Sequence, residues 1–225
     1  MIQIIVTTLE LAAVTSLLLM LLVPPLAWWL VRTRGWAADV IDSVTSLPLV
    51  LPPTVLGFYL LVFMGPQGPL APVLHLFGLR SLAFSFGGLV AGSVVYSLPF
   101  ALAPIRASFA AIPRSLLEAA TSLRASGFDR FFSVVLPLAR PGLAAGLILS
   151  FAHTIGEFGV VLMIGGDIPG QTRVLSTTIF DAVETQDWAT AHEISTGLLL
   201  FSFAAILALR RWGRGLGSRG LEGVK

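Results

Sequence analysis

The 225-residue sequence has no cysteine, so thiolate metal sites, disulfides and cysteine nucleophiles are all excluded. Charge is scarce. Only 12% of residues are charged, against about 25% in an ordinary soluble domain. No GxxxxGK[ST] phosphate-binding segment occurs, so the chain itself is not expected to bind ATP. His75 and His192 stand apart from any acidic cluster of ligand spacing, and no metal site is expected. No Ser-His-Asp pattern stands out. The N-terminus lacks a basic n-region and runs from MIQIIVTTLE straight into an apolar stretch, which reads as a retained first span, not a signal peptide.

Apolar residues fill what is left. They make up 56% of the chain, and the mean hydropathy is +0.89. A soluble fold of this size would leave much of that surface exposed to water. Long uncharged runs recur, each able to cross a hydrocarbon layer about 30 Å thick. The expected fold is all-α: a polytopic membrane protein with about five transmembrane helices, at roughly 9–31, 43–64, 82–104, 141–164 and 190–209.

Proline and glycine punctuate this pattern. Pro24–Pro25 is expected to kink the first span or end its regular part. Pro48, Pro52 and Pro53, with Gly57, predict a bent or unwound second span, a place where gates are built or where helices simply pack. GPQGPLAPVLHLFGLRS reads as a loop with room for one short interfacial helix, and VLSTTIFDAV as a re-entrant or surface-lying helix.

The net charge of +2 does not point to nucleic acid, because the basic residues lie in short segments beside apolar runs. Residues 105–140 carry Arg106, Arg114, Arg124, Arg130 and Arg140 against Glu118 and Asp129. Arg32 and Arg34 follow the first span, and a basic, glycine-rich tail at 211–225 reads as disordered. The segment 165–193 is acidic. With five spans, all the basic segments fall on one side. The positive-inside rule then puts the N-terminus outside and the C-terminus in the cytoplasm.

Within the basic segment 105–140, Leu116, Leu117, Leu123 and Phe128 can fill an apolar groove, Ala119 and Ala120 offer a small face, Glu118 can accept hydrogen bonds and Gly127 permits a turn. Such a helix either docks a soluble partner or lies on the membrane as a connector. The segment EAATSLRASGFDRFFSVVLPLARPG resembles the EAA loop of binding-protein-dependent ABC import permeases. LPLVLPPTVLGFYLL at 47–61 and HTIGEFGVVLMIGGDIPGQTRVLSTTIFDAVE at 153–184 resemble the molybdate branch of that family, with sulfate permeases carrying similar GEFG-like segments. The resemblance covers most of 5–210.

It implies a type I ABC importer-like permease domain at 5–210, with a cytoplasmic EAA loop at 111–132 and a coupling helix at about 113–126. Glu118, Ala119, Ala120 and Arg124 would meet an ATPase subunit, and Gly127 would close the turn. The family's usual glycine, six residues after the Glu, is Arg124 here. The implied partners are a second copy of the chain, two cytoplasmic ATPase subunits that use ATP and Mg, a periplasmic oxyanion-binding protein and the bilayer of a bacterial inner membrane. The chain would be a non-catalytic subunit with no cofactor of its own, importing molybdate and tungstate. A sulfate or thiosulfate permease is the neighbouring alternative, and an ATPase-independent transporter or channel is the alternative of another class.

Glu157 is the only acid in the fourth span, and a carboxylate in hydrocarbon must face a path, a partner or a polar network. It is expected to act in a hinge or gate, hydrogen-bonded near Gly156 and Gly159. Ser150, Thr154 and Glu157 can share a helix face, either lining a weakly polar path or packing as hydroxyls satisfied by carbonyls. Pro52 and Pro53 join them as gate candidates. Asp167 and Arg173, in an expected outer loop, are either contacts for the binding protein or ordinary loop residues.

Overall fold

The computed structural model describes residues 1–219. The described residues are helical, with no strand among them. The first helix, α1 (Ile2–Arg32), runs unbroken through Pro24 and Pro25. Each proline removes one backbone donor, yet the flanking turns hold the helix together, so the pair neither ends nor divides it. After it come α2 (Trp36–Ser46), a 3-10 turn at Leu47–Leu49, α3 (Pro53–Met64) and the short α4 (Ala71–Leu76). A long α5 (Phe86–Ala110) leads into α6 (Arg114–Ser122), α7 (Gly127–Arg130), a π-helical turn at Phe131–Val135 and α8 (Leu136–Leu138). The chain ends with α9 (Arg140–Gly156), α10 (Gly159–Gly165), α11 (Leu175–Glu184) and α12 (Trp188–Arg219).

α1, α5 and the Trp188–Arg211 part of α12 are long and apolar enough to cross a bilayer. Two bent pairs bring the spans to five if each counts as one: Trp36–Leu49 with Pro53–Met64, bent by 113°, and Gly127–Leu138 with Arg140–Gly156, bent by 71°. The expected second span is therefore two helices meeting at Val50–Pro52. The expected fourth span, 141–164, is also two helices, α9 and α10, parted at Glu157–Phe158. Apolarity predicts an end to the fifth span at 209, but α12 continues to Arg219. Charge ends a membrane span, whereas helix hydrogen bonds need no apolar side chain. Residues 220–225 of the expected tail lie outside the described residues.

The core is a three-helix packing of α1, α5 and α9. Leu19, Val23, Ala27 and Leu30 of α1 meet Ala101, Leu102, Ile105 and Phe109 of α5. Trp28 and Phe109 meet edge to face at 5.7 Å. α9 can approach α5 closely because Gly142 has no side chain: a Cβ there would lie 2.6 Å from the Pro104 carbonyl oxygen. α10 packs on α3 and α5, and α12 lies outside, against α9 and α11. Leu199, Leu200 and Phe203 of α12 and Leu17 and Leu21 of α1 remain exposed, as lipid-facing residues do.

Candidate functional site

The break between α9 and α10 creates the most unusual site in the protein. Gly156 closes α9, Glu157 turns to extended backbone (φ −68°, ψ 128°), and α10 restarts at Gly159. Breaking a helix in an apolar setting frees carbonyl groups that must find donors. Here the Ser176 hydroxyl of α11 donates to the Glu157 carbonyl. Leu175 N–H in turn donates to Thr8 Oγ1 of α1 at 3.0 Å, so α11 is pinned beneath the break.

The Glu157 side chain is 3% exposed. Neither carboxylate oxygen has a hydrogen-bond partner among the described residues. Ser93 of α5 stands beside it, but its hydroxyl completes no hydrogen bond either. The expected network of backbone and hydroxyl donors to this carboxylate is thus absent among the described residues. The Ser176 bond goes to its main chain instead.

A cavity of about 480 Å³ opens at the same point. Pro53 and Thr54 from the start of α3, Tyr96 from α5, and His153, Gly156, Glu157 and Gly159 line it. The helix starts approach closely: a Cβ on Gly159 would lie 2.8 Å from Pro53 Cβ. Of the gate candidates, Pro53, Gly156, Glu157 and Gly159 therefore come together, and Pro52 immediately precedes α3.

Ser150 and Thr154 do not line this cavity. Both are buried, Ser150 donating to the Leu147 carbonyl at 3.2 Å and Thr154 to the Ser150 carbonyl at 2.9 Å. Thr154 Oγ1 also lies 3.0 Å from Ser97 Oγ of α5. They are packing hydroxyls in this conformation. The cavity wall at this level is His153, with Nδ1 2.9 Å from Ser97 Oγ and its ring stacked on Phe100 at 3.8 Å. The sequence signal missed was the Ser93–Ser97 pair, four residues apart on one face of α5, which composition alone marks only as a packing stripe.

A second feature is the loop after α5. α6 is a single short amphipathic helix with no buried residue. Leu123 and Phe128 are 84% and 72% exposed, and Glu118 and Ala119 are also exposed. The turn after α6 is closed by Arg124, not Gly127. Arg124 takes the left-handed conformation (φ 58°), Arg124 N–H donates to the Thr121 carbonyl, and Ala125 N–H to the Ala120 carbonyl. Gly127 instead begins α7, capped by Ser126, so its lack of a side chain is not what makes the turn. The expected helix at 113–126 is correspondingly shorter, Arg114–Ser122. Asp129 accepts from Ser126 Oγ at 2.6 Å and from Ser126 N–H at 3.1 Å, and these bonds hold its carboxyl below the usual range.

In the loop after α10, Arg173 grips Asp167 with Nε at 3.0 Å and Nη2 at 2.7 Å, and reaches Asp181 of α11 at 3.1 Å. Both loop candidates are thus brought together, and each is the other's partner. Partial desolvation and the neighbouring Asp167 raise the Asp181 carboxyl above its usual value, while Arg173 opposes this.

Comparison with known proteins agrees with this architecture. Residues 24–219 match the family described as "Binding-protein-dependent transport system inner membrane component". The molybdenum transport system permease protein ModB of Azotobacter vinelandii is 54% identical over 212 residues, covering 93% of this chain and 94% of that protein. ModB of Haemophilus influenzae is 38% identical over 183 residues, covering 81% and 78%. In the crystal structure of a bacterial alginate ABC transporter in complex with alginate pentasaccharide-bound periplasmic protein, one chain superposes with a TM-score of 0.75. It is 17% identical, and the match covers 96% of this chain and 78% of that one, a likeness of fold. The chain belongs to the family of inner membrane components of binding-protein-dependent transport systems, as a permease subunit of an ABC transporter.

Proposed function

We propose that this chain is the membrane-spanning subunit of an ATP-driven importer that carries molybdate, and with it tungstate, into the cytoplasm. The observation that carries this is the likeness to a molybdenum permease along nearly the full length of both chains. Two copies pair to enclose one path, a periplasmic oxyanion-binding protein delivers the anion, and two cytoplasmic ATPase subunits use ATP and Mg. The chain lies in a bacterial inner membrane with its N-terminus outside and C-terminus inside, the orientation favoured by its basic segments. The permease domain spans 5–210, the EAA loop 111–132 and a basic cytoplasmic tail 211–225.

The exposed α6 supplies the coupling contact. Glu118, Ala119 and Ala120 present a small, hydrogen-bonding face, while Arg124 closes the turn behind it and Gly127 starts α7. When ATP closes the ATPase pair, the two loops move and the path opens outward. Hydrolysis restores the inward-facing state. The break at Pro52, Pro53, Gly156, Glu157 and Gly159 is the gate, since two short helices meeting at Gly159 and Pro53 can pivot more readily than one continuous span. Thr154 ties α9 to Ser97 of α5 behind it, and Ser150 is bonded within α9. The braced loop carrying Asp167 and Arg173 meets the binding protein. Glu157 belongs to the gate and is not assigned as a ligand for the anion. A path that held the anion tightly would release it slowly, which leaves selectivity to the binding protein.

Uptake of radiolabelled molybdate into vesicles containing the chain, its ATPase and the binding protein tests this. ATP-dependent uptake blocked by tungstate but not by excess sulfate is expected. Preferential sulfate uptake would make the chain a sulfate permease, and uptake without the ATPase would overturn the ABC mechanism.

A further inference from the structure

A second cavity, of about 490 Å³, lies where α1 ends and α6 begins. Arg32, Arg34, Arg114 and Arg130 line it, with Glu118 as the one acid on the wall. Four arginines therefore share the wall with one glutamate. None of the four forms an ion pair among the described residues. Arg32 lies over the Trp28 ring at 4.8 Å, and Arg130 donates to Thr121 Oγ1 at 2.7 Å. Arg130 Nε is buried and has no partner among the described residues. Guanidiniums gathered from three separate segments repel one another, and the arrangement is stabilised when an anion joins them.

The depth of the site says which anion. Trp28 forms one wall, four residues before the end of a helix long and apolar enough to cross a bilayer, and interfacial tryptophans sit near such helix ends. Phosphate groups of lipid headgroups occupy that level, and basic pockets between membrane helices bind them. We propose that this cavity binds a phosphate-like tetrahedral oxyanion, presented by the headgroup of an anionic phospholipid. Arg34 and Arg114 supply charge from the two sides, and Arg130, held by Thr121, adds a further guanidinium to the wall. Because Glu118 and Arg114 belong to α6, a lipid bound here ties the coupling helix to the bilayer surface. The site is independent of which anion the transporter carries.

The test uses the permease–ATPase complex in nanodiscs of phosphatidylcholine, with or without phosphatidylglycerol, and native mass spectrometry to count retained lipids. Wild type is expected to retain phosphatidylglycerol, with a loss on the order of tenfold or more in the R34Q/R114Q double variant. The R140Q variant, which removes a charge outside the cavity, should retain it as wild type does. A parallel arm measures equilibrium binding of radiolabelled phosphate and molybdate in phosphatidylcholine-only discs. Arginine-dependent binding of these free ions, without lipid retention, would assign the same site to a soluble oxyanion. Equal losses in R140Q and the double variant, or no arginine-dependent binding of lipid or free anion, would overturn the proposal. If the double variant does not assemble, R34Q alone serves, since Arg34 lies in the turn between α1 and α2.

Discussion

Gly159 and Pro53 bring the starts of two helices into close contact: a methyl group on Gly159 would sit 2.8 Å from the proline Cβ. The start of α10 therefore rests on the start of α3 with no room for a side chain. Gly156, three residues earlier, has nothing within 4 Å of its notional Cβ. Gly159→Ala should force the two starts apart at a cost of about 1–3 kcal/mol and reduce ATP-driven uptake several-fold. Gly156→Ala should be tolerated. Equal uptake by the two variants, at equal membrane levels, would remove the close approach from the gate.

Glu157 is buried with both carboxylate oxygens unpartnered among the described residues. Such a group is retained at a cost to stability. Glu157→Gln keeps the shape and removes the ionisable charge, so the thermal midpoint of the purified complex should hold or rise. Uptake should fall, on the order of tenfold, if the carboxylate acts in gating. A midpoint lowered by several degrees would instead show that the carboxylate has a stabilising partner.

Arg124 occupies a left-handed position that glycine takes with less strain. Arg124→Gly should stabilise the turn after α6 by up to about 1 kcal/mol, offset in part by glycine's greater chain entropy, and leave uptake largely intact. Ala120→Trp, on the small face of α6, should uncouple ATP hydrolysis from uptake without altering membrane insertion. Normal coupling in Ala120→Trp, measured as anion imported per ATP hydrolysed, would move the ATPase contact elsewhere.

Asp129 is held below its ordinary carboxyl value by its bonds to Ser126. A depressed carboxyl contributes stability at pH above its unfolded value, near 3.8, and loses it as pH falls through the lower folded value. Hydrogen exchange of the α7 turn should therefore quicken as pH drops below about 4, after correction for intrinsic rates. Ser126→Ala should make exchange fast at neutral pH and remove most of that pH dependence. An unchanged exchange profile in Ser126→Ala would show that the cap does not hold the turn.

Much of the molecule was legible in one dimension. The apolar runs fix membrane insertion, because burying a polar backbone in hydrocarbon leaves helices as the available spanning form for such runs. The arginines between α5 and α9 mark a charged connection, and the exposed α6 lies within it. Pro52–Pro53 flagged the bend in the second span, since a missing donor weakens a helix locally, whereas 141–164 was expected as one span with a hinge or gate near Gly156 and Gly159.

Other features required three dimensions. Pro24–Pro25 carries the same local signal as Pro52–Pro53, yet α1 is continuous, because packing against α5 and α9 supports its turns. Ser150 and Thr154 share a helix face with Glu157 in sequence, but both are buried, Thr154 against Ser97 of α5, and the cavity is left to His153. Arg124 closes a turn that local preference would give to Gly127. The sequence alone determined which segments are apolar enough to enter a membrane and which carry the basic charge, since hydropathy and charge act residue by residue. Only the tertiary structure decided which polar groups are satisfied and which are left facing a cavity, because that depends on partners distant along the chain.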